Sequence, residues 1–202
     1  LTSMFYYDGK TPKPKGEWRP EVHDSDGLLI HNGESDEWLW RPLRNPETLS
    51  MDYFDTLDVA GFGLLQRDQA FDSYMDPEAR YDTRPSAWVE PRGSWGKGKV
   101  VLVQIPTPDE TNDNVVAFWT PEEPVSQEDA PMTFEYSVHY GGPEIPDEPM
   151  ARVVDTFIGD GSRIGGGDEE GAVRVIADFA GGPLAKLDPE ASVSSSVSLL
   201  NE

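Results

Sequence analysis

Cysteine is absent from the 202-residue chain, which excludes a disulfide framework, a thiolate zinc site and a cysteine nucleophile. Positive charge is scarce: Lys and Arg number 16 against 38 Asp and Glu, for a formal net charge of −22. Nucleic acid and anionic membranes carry the same sign, so neither is expected as a main partner. No run approaches the ~20 apolar residues of a membrane helix. An initiator Met and a signal peptide are also missing, and the final residues carry no cap, so the chain reads as an internal piece of a longer protein. What is present is aromatic weight. Six Trp, seven Tyr and eight Phe are too many large apolar groups for a chain that never folds. The acidity itself suits a solvated surface or a saline milieu.

The apolar pattern repeats every two residues far more often than every 3.6. Strands are expected over Leu28–His31, Glu37–Trp40, Gly61–Gln66, Ala87–Glu90, Lys99–Ile105, Val115–Trp119, Thr133–Tyr140, Val153–Ile158 and Ala172–Phe179, with LTSMF at the start as another. Gly, Pro, Asn and Asp clusters separate them, as in a sandwich or barrel. Short helical turns are expected at Asp68–Tyr74, Pro77–Tyr81 and Pro183–Leu187. The fold class is all-β. No Lys or Arg lies between Lys99 and Arg152, and GGPEIPDEP within that interval has the composition of a linker. This puts one domain at 1–141, a linker at 142–149 and a second domain at 150–202, with Gly159–Gly171 an exposed hairpin loop.

Several chemistries can be set aside. Gly93-Ser94-Trp95-Gly96-Lys97-Gly98-Lys99 approaches a phosphate-binding loop, but Val100 stands where the Mg²⁺-binding hydroxyl belongs. A strand follows it, whereas phosphate needs a helix N-terminus, so it reads as a turn between strands. His23, Asp24 and Asp26 would alternate faces on a strand, and His31 and His139 lack zinc spacing, so no metal or cofactor is expected. No Gly-x-Ser-x-Gly elbow supports a serine triad.

Carboxylates and aromatics remain. WRPEVHDSDG (18–27) and DETNDN (109–114) each gather acids beside aromatic residues. Glycoside hydrolysis needs two carboxyl groups, one protonated to release the leaving oxygen and one ionised to activate water or attack. Trp38, Trp40, Trp88 and Trp95 supply flat apolar faces for sugar rings; Arg41, Arg84 and Gln66 supply hydroxyl partners. Acids in turns also cap or simply solvate, and Trp in a sandwich is commonly core.

The strings LTSMF, WRPEVHDSDGL, EWLWRPL, GFGLLQRD, RYDTRPSAWVEPRGSWGKG and IPTPDETNDNVVAFWTPEEP closely resemble the periplasmic glucan biosynthesis proteins of the G and D types. The likeness is dense to about Pro124, thins across 125–149 and is moderate to about Pro189. It implies the C-terminal part of a large, galactose-mutarotase-like β-sandwich followed by an incomplete immunoglobulin-like domain, in a protein exported to the Gram-negative periplasm. It further implies inverting endo-hydrolysis of the β-1,2-glucan backbone, with a membrane glucosyltransferase as a partner. On that pattern Asp113 matches the general acid, Asp24 the general base and Tyr81 a tyrosine lining the cleft. His23 is counted with the substrate-contacting residues. Asp113 is then expected to have a raised pKa from walls such as Phe118 or Trp119, and Asp24 to stay ionised beside His23 or Ser25. The rival reading is a non-catalytic glucan-binding scaffold. A sugar-binding module after Met150 has only Phe157 and Phe179 to offer, both expected in a core.

Overall fold

Alternating apolar residues make two-faced strands, and two such sheets bury their apolar faces against each other. The computed structural model describes residues 1–10, 12–123, 131–142, 151–161, 172–188 and 190–196. Its strands are β1 (Thr2–Ser3), β2 (Phe5–Tyr7), β3 (Val22–His23), β4 (Gly27–Asn32), β5 (Glu37–Pro42), β6 (Ser50–Thr56), β7 (Val59–Leu65), β8 (Ser86–Pro91), β9 (Gly98–Gln104), β10 (Val115–Pro121), β11 (Tyr136–Gly141), β12 (Arg152–Asp160) and β13 (Val173–Ala180). The protein is all-β, as its periodicity predicts. The chain divides into two compact units, Leu1–Ile145 and Pro146–Glu202.

In the first unit a four-stranded sheet, ordered β1-β10-β9-β6, accompanies a five-stranded sheet, ordered β11-β8-β7-β4-β5. All pairings within them are antiparallel. The core draws on both: Leu28, Ile30, Phe62, Leu64 and Val89 from the five-stranded sheet meet Val100, Leu102, Val115 and Ala117 from the four-stranded one. Each such side chain contributes about 1.5–3 kcal/mol by leaving water. Strand β6 escapes the sequence reading because Met51 and Tyr53 point outward, 45% and 57% exposed, while Asp52 turns inward. There Asp52 accepts from Arg41 at 3.0 Å, tying β6 to β5.

Among the described residues the turn expected at Asp68–Tyr74 is a helix, α1, over Phe71–Tyr74. That expected at Pro77–Tyr81 is a 3₁₀ turn at Tyr81–Thr83, and that at Pro183–Leu187 is a 3₁₀ turn of equal length at Gly182–Lys186. The phosphate-loop look-alike is a turn joining β8 to β9, with Gly93 and Gly96 at φ of +88° and +74°. Asp58 accepts from the backbone N–H groups of Trp95 and Gly96, so the donors that would hold an anion already hold a carboxylate.

In the second unit, β12 and β13 form an antiparallel pair. Phe157 and Phe179, expected in a core, are instead 52% and 58% exposed. Most of the expected linker and of the hairpin loop 159–171 lies outside the described residues.

Candidate active site

Register places three connections at one end of the first unit. Gly27, at the start of β4, pairs with Leu65 at the end of β7, and the next residue, Gln66, donates its N–H to Ser86 Oγ at the start of β8. Gln104, ending β9, pairs with Val115, opening β10. The segments 19–26, 66–85 and 105–114 therefore meet at this end, although they are far apart in sequence.

Buried amides fix their positions. Asn114 donates to the carbonyls of Phe5 and Ile105 and accepts from the N–H of Phe5. Asn45 donates to the Tyr6 and Thr107 carbonyls and accepts from the N–H of Thr107. Asp113 is thus carried beside an anchored residue, and Thr2 Oγ1 donates to its Oδ2 at 2.7 Å. Asp24 is held by its own N–H, which donates to the Met4 carbonyl. Its Oδ1 lies 3.2 Å from Arg84 Nε, an ion pair without hydrogen-bond alignment.

Burial raises the Asp24 pKa above the ordinary aspartate value; Arg84 and His23 pull it down, while Asp113 and Glu110 push it up. Asp24 therefore senses the charge of Asp113. The expected partners of Asp24 are otherwise engaged. Ser25 Oγ accepts from Ser3, and both ring nitrogens of His23 are taken by Gln66 and Glu21. Phe118 and Trp119 do not wall Asp113. They lie five and six residues beyond it along the chain, on strand β10, on the order of 15–20 Å at strand rise, and Trp119 packs on Trp95 and Phe134.

A second carboxylate group, not singled out in the sequence, surrounds Arg19. Its guanidinium pairs with Glu17 at 2.7 Å, with Asp76 at 3.1 Å and with Glu110. Arg19 holds the Glu17 carboxyl down at about 2. Asp76 is lowered as well, by backbone N–H groups of Ala79 and Glu78 and by Arg19, against the opposing effect of burial. Tyr81 is 4% exposed and donates its hydroxyl to Glu110 at 2.9 Å. Burial, then Glu110, pushes the Tyr81 phenol up. Tyr81 thus reaches this end through its hydroxyl bond to Glu110, and Arg84 lies 5.5 Å over its ring. Ion pairs between residues 57 and 91 apart leave no local pattern, so only the acid of DETNDN hinted at Glu110.

Other candidates lie elsewhere or are enclosed. His23 is 2% exposed and Gln66 fully buried, so both side chains are enclosed. Gln66 spends its amide on the carbonyls of His23 and Tyr81. Trp88 is 2% exposed. It lies flat across Gly61 and stacks with Trp38 at 5.9 Å, which in turn stacks on His31 at 4.0 Å. Trp40 covers Gly27, under the Arg67 guanidinium at 3.6 Å. These three indoles gather with Leu29 and Leu65 on the face of the five-stranded sheet turned away from the core; Trp40, over Gly27, is nearest the aspartates along the strands. Trp95 lies toward the opposite end, in an apolar recess of about 320 Å³ with Trp119, Phe134 and Tyr136. Arg41 is committed to Asp52.

Asp26 supports the same end. Its Oδ2 accepts from the N–H groups of Arg67 and Asp68, while Oδ1 is enclosed without a partner. Burial raises its pKa, against His23 and the two N–H groups. A raised folded pKa means the folded state binds the proton more tightly. This group's contribution therefore falls as pH climbs from the unfolded aspartate value through the folded one. Asp26→Asn keeps the acceptor and removes the charge. Its stability relative to the parent is expected to improve between pH 4 and pH 8 by on the order of 1 kcal/mol, read from urea midpoints at each pH. Asp26→Ala, which strands two N–H donors, is expected to lose about 1–3 kcal/mol.

Among the described residues no helix is long and apolar enough to cross a membrane. The family model described as "Periplasmic glucan biosynthesis protein, MdoG" matches residues 1–202. A probable glucans biosynthesis protein D of Shewanella oneidensis is 47% identical over 198 residues, covering 98% of this chain and 36% of that protein. A glucans biosynthesis protein G of Pseudomonas aeruginosa is 46% identical over 203 residues, covering 98% and 38%. Its counterpart in Ralstonia nicotianae is 47% identical over 196 residues, covering 96% and 38%. The chain thus spans somewhat over a third of the length of these relatives.

Proposed function

Since the chain belongs to the periplasmic glucan biosynthesis protein family, we propose that this end of the first unit is part of the cleft of an inverting endo-β-1,2-glucanase acting in the periplasm. On this reading the second unit contributes to an immunoglobulin-like module. The observation that carries the proposal is the convergence of Asp24 and Asp113. They are drawn from connections far apart in the sequence of this unit, and Asp113 lies close enough for its charge to act on Asp24. Arg84 and the Tyr81–Glu110 pair stand beside them.

In the reaction, Asp113 gives its proton to the glycosidic oxygen as the C1–O bond breaks. Asp24 takes a proton from the water that attacks C1 from the opposite face, directly or through a water or sugar hydroxyl. One water is consumed and the anomeric centre inverts. Arg84 supports the ionised form of Asp24 against its burial. The glucan is neutral, so the net charge neither draws nor repels it.

The test uses protein expressed from the complete reading frame that encodes this chain, incubated with linear β-1,2-glucan. New reducing ends are expected, and polarimetry should show inverted configuration in the first product. Absence of new reducing ends at saturating glucan, with binding retained, would establish the rival reading of a glucan-binding scaffold. One observation favours that rival: Asp113 sits at the surface with the Thr2 hydroxyl donating to it.

A further inference from the structure

His23 is fully enclosed, yet it carries a titratable ring into the centre of this end. Its proton count can be read from its partners. The Gln66 amide nitrogen donates to two carbonyl oxygens, of His23 at 3.0 Å and of Tyr81 at 3.2 Å. Neither carbonyl can donate, so the amide cannot be turned round without two acceptor–acceptor contacts. Its oxygen therefore faces His23 Nδ1 at 3.0 Å, and Nδ1 must carry a hydrogen. The opposite nitrogen, Nε2, lies 2.9 Å from Glu21 Oε2. A neutral ring with its hydrogen on Nδ1 would set a lone pair against that carboxylate. A second proton between Nε2 and Glu21 removes the conflict.

One ring face agrees: Phe5 stacks on the imidazole at 5.0 Å and 7°, and an aromatic face favours a cation over a neutral ring. The next residue is Asp24, and Asp26 is two further on. Asp26 is enclosed and Asp24 is partly so, its side chain 28% exposed, and burial makes positive charge nearby a support for the ionised form of each.

We propose that Glu21 and Gln66 hold His23 as a buried imidazolium, and that this fixed charge is a positioning device keeping Asp24 ionised. The idea deepens the hydrolase reading, resting on Asp24 as the base. Sugar never touches His23; it acts through Asp24. The other charges facing Asp24 are Arg84, Asp113 and Glu110, and those facing the imidazole are Glu21, Asp24 and Asp26. Arg84, 43% exposed, exerts the larger pull on Asp24, and the enclosed imidazole adds to it.

The test needs no turnover. In protein from the complete reading frame, selectively labelled at histidine, nitrogen NMR at pH 7.5 is expected to find hydrogen on both His23 nitrogens. A bare Nε2 overturns the proposal. Carbon NMR then follows the Asp24 carboxyl with pH in the parent and in Glu21→Gln. The amide of the variant donates to Nε2, so the ring gives up its extra proton. The Asp24 midpoint is expected to rise by about half a unit or more. An unmoved or lowered midpoint in the folded variant overturns the positioning role. If Glu21→Gln does not fold, His23→Gln takes its place with the same expectation, and the parent's nitrogen spectrum still decides the protonation. Cleavage assays separate the two readings. With an active parent, the acid limb of kcat/KM should follow the Asp24 midpoint upward, with plateau kcat within about threefold. An inactive parent with the expected spectra sinks the hydrolase and leaves the buried imidazolium standing.

Discussion

Asp113→Asn, in protein from the complete reading frame, is expected to lower the release of reducing ends from linear β-1,2-glucan by about 10²–10⁴-fold, the usual contribution of a general acid. The amide keeps the shape and can still accept from Thr2, so the loss reports the missing proton and not a collapsed loop. The anchors of that loop, Asn45 and Asn114, are untouched by the change. Asp24→Asn is expected to cost a similar factor, because water then lacks its proton acceptor. A variant of either kind that cleaves within threefold of the parent rate removes that aspartate from the mechanism. Binding of glucan by calorimetry should survive both changes, which separates lost chemistry from lost affinity.

Gly63→Ala carries the largest expected effect on stability. A Cβ at Gly63 would come within 2.3 Å of the Ala87 carbonyl and 2.9 Å of Trp88 Cε3. The first of these is backbone of the neighbouring strand and cannot swing aside, so β7 and β8 must part. Overpacking of this kind costs about 3 kcal/mol, roughly 10 °C in melting temperature for a chain of this size. For Gly61→Ala the three nearest atoms all belong to the indole of Trp88, the first at 2.2 Å. A ring can slide where a strand cannot, so its expected cost is smaller, near 1 kcal/mol. Calorimetric melting of the two variants side by side reads the difference. Equal melting temperatures would show that the strand spacing, not the ring, is what yields.

The same two glycines show how far sequence reading reaches. Their place in GFGLLQRD marks a strand whose outer face lacks side chains, and Trp88 occupies the vacancy. That a Trp would fill it, and so be core and not a sugar platform, depends on the register of β7 against β8, which no local pattern encodes. Trp95, on the turn between β8 and β9, packs with Trp119, Phe134 and Tyr136 toward the other end of the unit, a placement no local pattern encodes. Arg41 resembled a hydroxyl partner until β6, hidden by its outward Met51 and Tyr53, brought Asp52 to it.

Asp24, Asp113, Tyr81 and Arg84 were legible through their motifs, and the fold brings them to one end. Their environments were not legible. Phe118 and Trp119 follow Asp113 closely in sequence but recede along a strand at ~3.3 Å per residue, while Thr2, over a hundred residues away, donates to it. Glu110 and Arg19 stand in the quoted motifs, but their pairing across 91 residues was not legible for the same reason.

The sequence by itself determined the all-β class, the absence of cysteine chemistry in this chain and the family. Those follow from composition, from a period-two pattern and from long ordered motifs, all of which are local or additive. Tertiary structure alone decided which acids share a field, which aromatics are core, and that His23 is enclosed between Glu21 and Gln66. Proton placement and pKa depend on distance and burial, and antiparallel pairing sets both between residues the chain keeps far apart.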